Sequence, residues 1–254
     1  MNYNDADFKI PVESENYKHN SDFICSSIKK IIDERIETKN NRIIINTNLK
    51  MGLPLENINK IAGPMVEAWC GEVFSDIKDD TNNTYKLINV EVQPRLGVAD
   101  IVLQFKINDN YCTSNVDVKA TAEDIPKSGK GPNITSFSRI RTEYIKDPDF
   151  LFIILSIKHK VYSQKNEETL LSDGIMEITS ANAYDLKFIS DNDINYNPAL
   201  GTGQIQIKDI HYIKYQYRTT WEFCKLLDSK YLRSSRRTID DWYREARMHE
   251  WIKN

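Results

Sequence analysis

Asp100, Asp117 and Lys119 are the residues whose types and spacing most clearly suggest chemistry. They lie in GVADIVLQF (97–105) and NVDVKA (115–120), two apolar, β-branched runs separated by the turn-like KINDNY (106–111). Alternation with a period of two predicts a β-hairpin. Side chains two apart on a strand share a face, so Asp117 and Lys119 should project together, with Val116 and Val118 opposite. Asp100, at the start of the partner strand, is placed to converge on that pair. Two carboxylates and an ammonium on one face of an apolar sheet suit a divalent cation set against a scissile phosphate. Mg²⁺ takes oxygen ligands, commonly one or two carboxylates with phosphate and water. Asp100 and Asp117 would be those carboxylates, and the Val118 carbonyl a further oxygen. Lys119 would position the attacking water and neutralise a phosphate oxygen.

The string acid-x-Lys alone is uninformative. It recurs at Asp7–Lys9, Glu37–Lys39, Asp76–Lys78, Asp185–Lys187 and Asp228–Lys230. Asp7 and Glu37 fall in polar stretches, and Asp76 and Asp228 near helix ends, where an acid and a lysine are simply solvated. Asp185 sits in a segment that reads as a possible edge strand. Only Asp117 has a second acid on a neighbouring predicted strand. A surface ion pair on an open hairpin face, worth ~0–1 kcal/mol, fits the spacing as well.

The elements that must carry these residues follow from periodicity. Residues 22–36 have helical spacing behind a possible Asp22 cap. Residues 53–63 read as a helix ending at Gly63, and Gly63-Pro64 then restarts one, with Gly as cap and Pro at the first position. Its expected buried stripe is Met65, Trp69, Val73 and Ile77. Glu67 falls off that stripe in the first turn, where it would either orient a water or Lys119, or serve only the helix dipole. Strands are expected at 42–47, 86–93, 174–179 and 204–213. FLFIILSI (150–157) is apolar throughout and suits a central strand covered on both faces. Helices are expected at 133–145, 219–232 and 238–252. The fold class is therefore α/β (mixed α+β), with a mixed central sheet flanked by helices.

With 254 residues, 40% hydrophobic and 28% charged, the chain fits one large domain or a domain with an appended subdomain. It is read as a single domain over 1–254, with a catalytic core at about 53–160 and a C-terminal part at about 161–254. Its N-terminus has neither a basic nor an apolar leader segment, and no apolar run reaches membrane-spanning length, so a cytoplasmic protein without membrane partners is expected. Cys25, Cys70, Cys112 and Cys224 are scattered and are expected to be buried, reduced thiols. A net charge of −3 does not announce a nucleic-acid partner, but phosphate contact depends on local charge. Basic stretches stand at Lys127–Lys130, Arg139–Arg141 and Tyr231–Arg237. His19, His159, His211 and His249 form no sequence cluster.

Taken together, GPMVEAW (63–69), GVADIVLQF, NVDVKA and KSGKGPNITSF (127–137) resemble type II restriction endonucleases of the PD-(D/E)XK fold. The likeness to the HpaI branch extends through LPLENINKIAGP, FIILSIKHKVYSQ and NPALGTGQIQ. A looser likeness to HincII is confined to ADI…DVK, the PNI stretch and QIQ. The resemblance implies a homodimer that cuts a six-base-pair palindrome, GTTAAC, at its centre to blunt ends with 5′-phosphates. It implies Mg²⁺ as cofactor, double-stranded DNA as substrate and a cognate DNA methyltransferase as functional partner. Asp100, Asp117 and Lys119 match the family's catalytic positions, and the base-recognition segment falls on Lys127 to Asn133. Lys130 replaces a glutamine of HincII, whose degenerate central preference is not carried over.

In that segment Lys127 and Lys130 would meet phosphates, Ser128 and the glycines would allow close approach, and Asn133 would open a helix facing DNA. Asn pairs bidentately with adenine in the major groove; a basic turn with Asn133 as a simple helix cap fits equally. NYNPALGTGQIQ (195–206) offers Asn197, Gly201 and Gln204 as further contacts. The rivals are a repair or recombination nuclease of this fold without strict sequence dependence and a non-catalytic DNA-binding protein.

Overall fold

The structure is a computed structural model that describes residues 2–94, 97–199 and 201–253. The chain divides into two compact units, each assembled from separated stretches. One comprises Asn20–Gly129 and Phe152–Tyr184; the other comprises Met1–His19, Lys130–Leu151 and Asp185–Asn254. The fold is mixed α+β, as the periodicities predicted. No helix among the described residues is long and apolar enough to cross a membrane.

The first unit holds most of helix α1 (Tyr17–Glu37), then β1 (Arg42–Ile45), α2 (Leu55–Lys60), α3 (Ala62–Asp79), β2 (Leu87–Val92), β3 (Ile101–Ile107) and β4 (Asn110–Ala122). Nearly all of β6 (Leu151–Lys165) and β7 (Ser172–Asp185) completes it. These strands form a six-stranded sheet in the order β1-β7-β6-β4-β3-β2. As its unbroken apolar run requires, β6 is central, and Phe152, Ile153, Ile154, Leu155 and Ile157 are all fully buried. The β3–β4 hairpin is antiparallel and closes on the pair Ile107↔Asn110. Its two loop residues, Asn108 and Asp109, have φ of 46° and 63°. Both signs match the twist-compatible two-residue turn, and Asn and Asp tolerate that region best after Gly.

The second unit holds β5 (Asn133–Ser136), α4 (Phe137–Lys146), β8 (Ile194–Asn197), β9 (Gln204–Ile207), α5 (Thr220–Leu232) and α6 (Ile239–Met248). Its strands form a three-stranded sheet in the order β5-β9-β8. Helices α5 and α6 both start at capping boxes, Thr219 with Glu222 and Thr238 with Asp241. The core stacks Phe137 on Tyr231, ring centroids 4.5 Å apart, with Trp242 and Trp251 fully buried nearby.

Several expectations are corrected. Helix α1 begins at Tyr17, so Asp22 lies inside it. Helix α3 begins at Ala62, not at Gly63-Pro64, and Glu67 lies beyond its first turn. The buried stripe of α3 is Ala62, Val66, Cys70, Val73 and Phe74; Met65, Trp69 and Ile77 are half-buried flanks. The expected helix at 133–145 starts only at Phe137, with Ser136 as its cap. Asn133–Ser136 pairs instead with β9, because the β-branched Ile134 and Thr135 are buried in strand geometry. Of 204–213 only Gln204–Ile207 is strand. Asp185 ends β7 and caps a 3-10 turn, Leu186–Phe188, and is buried. Cys70 and Cys224 are buried, while Cys25 and Cys112 are only half-buried.

Asp228, expected to be solvated, is fully buried, as is Arg141 of the Arg139–Arg141 stretch. Arg141 Nε and Nη2 lie 3.2 Å from Asp228 Oδ1 and Oδ2 respectively, Trp242 Nε1 donates to Oδ1 at 3.0 Å, and Tyr3 donates to Oδ2 at 2.8 Å. The carboxylate thus joins the N-terminus, α4, α5 and α6. Removing one partner of a buried pair strands the other charge. Asp228→Ala should therefore lower stability by about 3–5 kcal/mol. Lys230→Ala, whose ammonium meets the half-exposed Asp191, should cost about 1 kcal/mol or less. Urea unfolding of the two variants checks this, and equal losses would refute it.

Candidate active site

The hairpin places the three chemical residues as the alternation predicted. Val116 and Val118 are buried on one face, and Asp117 and Lys119 share the other, Lys119 Nζ lying 2.6 Å from Asp117 Oδ2. Asp100 lies one residue before β3, at the point where the ladder runs out. Its amide still donates to the Val116 carbonyl at 3.0 Å. Beyond that bond, the partner of β4 is the Asp100 side chain itself: Oδ2 accepts from the Val118 amide at 2.7 Å. A residue's N–H and C=O point to the same side of a strand, so the Val118 carbonyl faces the side from which Asp100 approaches.

Helix α3 brings Glu67 to the same region. It packs against β2 and β4, and a Cβ at Gly71 would stand 2.8 Å from Val92 Cγ2, so a larger residue there would force Val92 to shift. Glu67, Asp100, Pro64, Val92, Gln93 and Pro94 line a cleft of about 560 Å³. Gln93 is held at its rim by its amide, which donates to the Asp100 carbonyl at 2.8 Å. Sequence reasoning did not single out Gln93.

The acids carry the electrostatic mark of a shared site. Burial pushes Asp117 up to about 7; Lys119 pulls it down, and Asp100 and Glu67 push it further up. Burial also raises Glu67, with Asp100 raising it and Lys119 lowering it. Perturbed carboxyls grouped at a cleft mark functional sites more often than structural ones. The Asp117–Lys119 contact is an ion pair, and Oδ2 receives no well-directed hydrogen bond. The Lys119 ammonium is the one charged partner that buried oxygen has among the described residues, and a cation ligated there would share it. No three His, Cys, Asp or Glu side chains among the described residues are placed to hold a metal ion by themselves. A Mg²⁺ site does not need such a trio, because two carboxylates with a carbonyl, water and phosphate suffice.

The expected DNA-contacting residues divide between the units. Lys127 and Ser128 follow β4 in the first, where Lys127 is exposed at φ 69° and Ser128 Oγ accepts from the Ala122 amide at 3.0 Å. Lys130, Asn133, Asn197, Gly201 and Gln204 belong to the second. Lys130 is ion-paired with Asp209. Asn133 is exposed at one edge of the three-stranded sheet, and Gln204 lies opposite both Ser136 and Asn197. Arg237, read only as part of a basic stretch, is a clamp on the 198–201 loop. It donates to the carbonyls of Gly201 at 2.6 Å and Pro198 at 3.1 Å, and to the Tyr196 hydroxyl at 2.8 Å. Gly203, at φ 91°, lies directly against the Tyr196 ring, which leaves no room for a Cβ. A one-dimensional motif cannot reveal such a clamp, since the partners are backbone carbonyls.

A family model described as type II restriction endonuclease HpaI matches residues 4–250. The type II restriction enzyme HpaI of Haemophilus parainfluenzae is 63% identical over 254 residues, 100% of both chains. Among solved structures, the NlaIV restriction endonuclease is 12% identical, with a TM-score of 0.43 over 89% of this chain and 90% of that one. At that score it adds nothing to the assignment.

The raised Asp117 makes a prediction about stability. Its folded-state pKa of about 7 exceeds the ordinary 3.8, so between those values the folded chain binds more protons than the unfolded one. Its contribution is full below about pH 4 and is lost as pH rises to about 7. Without metal, Asp117→Asn should gain on the wild type across that window, by at most about 1.4 kcal/mol per pH unit, and level off above it. Denaturant midpoints of both proteins at stepped pH check this; an opposite slope sinks it.

Proposed function

The chain belongs to the HpaI family of type II restriction endonucleases, and from that premise we propose that it makes Mg²⁺-dependent double-strand cuts at the centre of GTTAAC. Family membership makes it a site-specific deoxyribonuclease. The proposed products are blunt ends with 5′-phosphates. A palindromic target matches a two-fold homodimer, each subunit reading one half-site. A cognate methyltransferase protecting the host DNA, and a cytoplasmic location, complete the reading.

The observation that carries the proposal is the convergence of Asp100, Asp117 and Lys119 at the end of the β3–β4 ladder. Asp100, Asp117 and the Val118 carbonyl would hold the cation. When bound, Mg²⁺ supplies charge against the scissile phosphate and lowers the pKa of a coordinated water. Asp117 must be ionised to serve, and Lys119 beside it lowers the cost of that charge. Lys119 also orients the attacking water and balances a non-bridging phosphate oxygen. Water oxygen bonds to phosphorus, the bond from phosphorus to the 3′ oxygen breaks, and that oxygen leaves with a proton. Glu67, which lines the cleft with Asp100 and whose carboxyl is shifted upward by burial, orients a water or Lys119. Lys127, Ser128, Lys130, Asn133, Asn197, Gly201 and Gln204 are proposed to contact DNA.

Supercoiled plasmid carrying one GTTAAC site tests this. Wild type with Mg²⁺ should give one discrete linear product. Asp100→Asn, Asp117→Asn and Lys119→Ala should each lose about 10²–10⁴-fold or more in rate while still melting cooperatively. Ca²⁺ should support specific binding without cutting, since it accepts the oxygen ligands with looser geometry. A smear of products would favour a nuclease without sequence dependence. A gel shift without cutting would favour a binding protein.

A further inference from the structure

Strand alternation buries Ile205 and Ile207 of β9 and turns Gln204 and Gln206 to the opposite face. Directly across on β8, Asn195 faces Gln206 and Asn197 faces Gln204; on β5, Asn133 faces Gln206. One face of the three-stranded sheet is therefore lined with amides. Amides carry both donors and an acceptor, the complement of a base edge in the major groove. An amide reads a base correctly only if its two ends are fixed, because exchanging them inverts the pattern.

Here the ends are fixed from the backbone outward. Gly131, at φ 63°, donates from its amide to the Lys208 carbonyl at 3.0 Å, which anchors the preceding peptide to the β9 end of the sheet. Gln206 Nε2 lies 3.0 Å from the Gly131 carbonyl, which can only accept. That end of Gln206 is therefore the nitrogen. Its other hydrogen is donated to Asn133 Oδ1 at 2.9 Å, so the oxygen of Asn133 points to Gln206 and its NH₂ points away.

We propose that Gln206 is a specificity-positioning residue: it sets the amide orientation of Asn133, which then donates from Nδ2 to an acceptor on a base edge. The inference rests on the restriction-endonuclease reading and deepens it. Sequence motifs directed attention to Asn133 and Gln204; only the pairing register brings Gln206 to Asn133.

Gln206→Met keeps the length and packing of the side chain but removes both donors. Its cleavage rates are measured on GTTAAC and on sites altered by one base pair. The preference for the cognate site should fall by about ten- to a hundredfold. Binding to random duplex and its salt slope should hardly change, since no charge is altered. Adding Gln206→Met to Asn133→Ala should cost no further preference, because the two act as one unit. A purely structural role would instead lower rates on all sites alike and add to Asn133→Ala. In the wild-type protein, the Gln206 side-chain amide protons should exchange slowly in NMR spectra, a readout independent of how the variant folds. Unchanged preference in Gln206→Met, additive losses, or Gln206 amide protons exchanging like free glutamine would each overturn the inference. A wild type that prefers no hexamer overturns the parent reading as well; one that discriminates, beside a variant that discriminates equally, overturns only this one.

Discussion

The register of the β3–β4 hairpin is the constraint on which the candidate active site depends. Asp117 and Lys119 alternate with two valines sealed in the core, so a slip of one residue would turn the charged pair into the apolar face and Val116 and Val118 away from it. The two-residue turn at Asn108-Asp109 fixes that register at one end. At the other end, Asp100 replaces a ladder partner with its own carboxylate, bonded to the Val118 amide. The same interaction that ends the ladder thus brings the second acid to the first. Glu67 is brought to them by α3, which lies close on β2 at Gly71. Crowded acids pushed toward protonation cost the fold stability, and the proposed cation would relieve that cost.

In the second unit much of the positive charge is committed internally. Arg141 is buried on Asp228, Lys187 is buried near Glu13 and over the Tyr17 ring, and Arg237 holds backbone carbonyls. Runs of basic residues in the sequence therefore overstate the surface available to phosphate. What the unit presents instead is a face of neutral amides on a short sheet, with the adjoining loop clamped by Arg237. Neutral, oriented hydrogen-bonding groups suit discrimination between bases, whereas phosphate attraction is indifferent to sequence.

Errors in reading the elements share a cause. Gly63-Pro64 carries strong helix-start chemistry, yet α3 begins at Ala62 because Ala62, Val66, Cys70 and Phe74 are the residues that find a core. Asn133 heads a segment with helical character, but β9 offers a strand to pair with, and tertiary pairing outweighs a weak local preference. Asp228 looks solvated because charged residues usually are; nothing local announces that Arg141 will meet it.

Local patterning by itself determined the hairpin, the buried central strand β6, the shared face of Asp117 and Lys119, and most of the helices. Each of these rests on periodicity over a few residues, which the chain carries wherever it folds. The motifs together also carried the family. Tertiary structure alone decided what meets across long separations: Asp100 on Val118, Glu67 in the cleft, Arg141 on Asp228, Arg237 on the 198–201 loop and Gln206 on Asn133. These contacts depend on backbone groups and strand registers, which have no signature in residue type. For that reason the candidate catalytic residues were legible in the sequence, and the residues that hold the amide face in place were not.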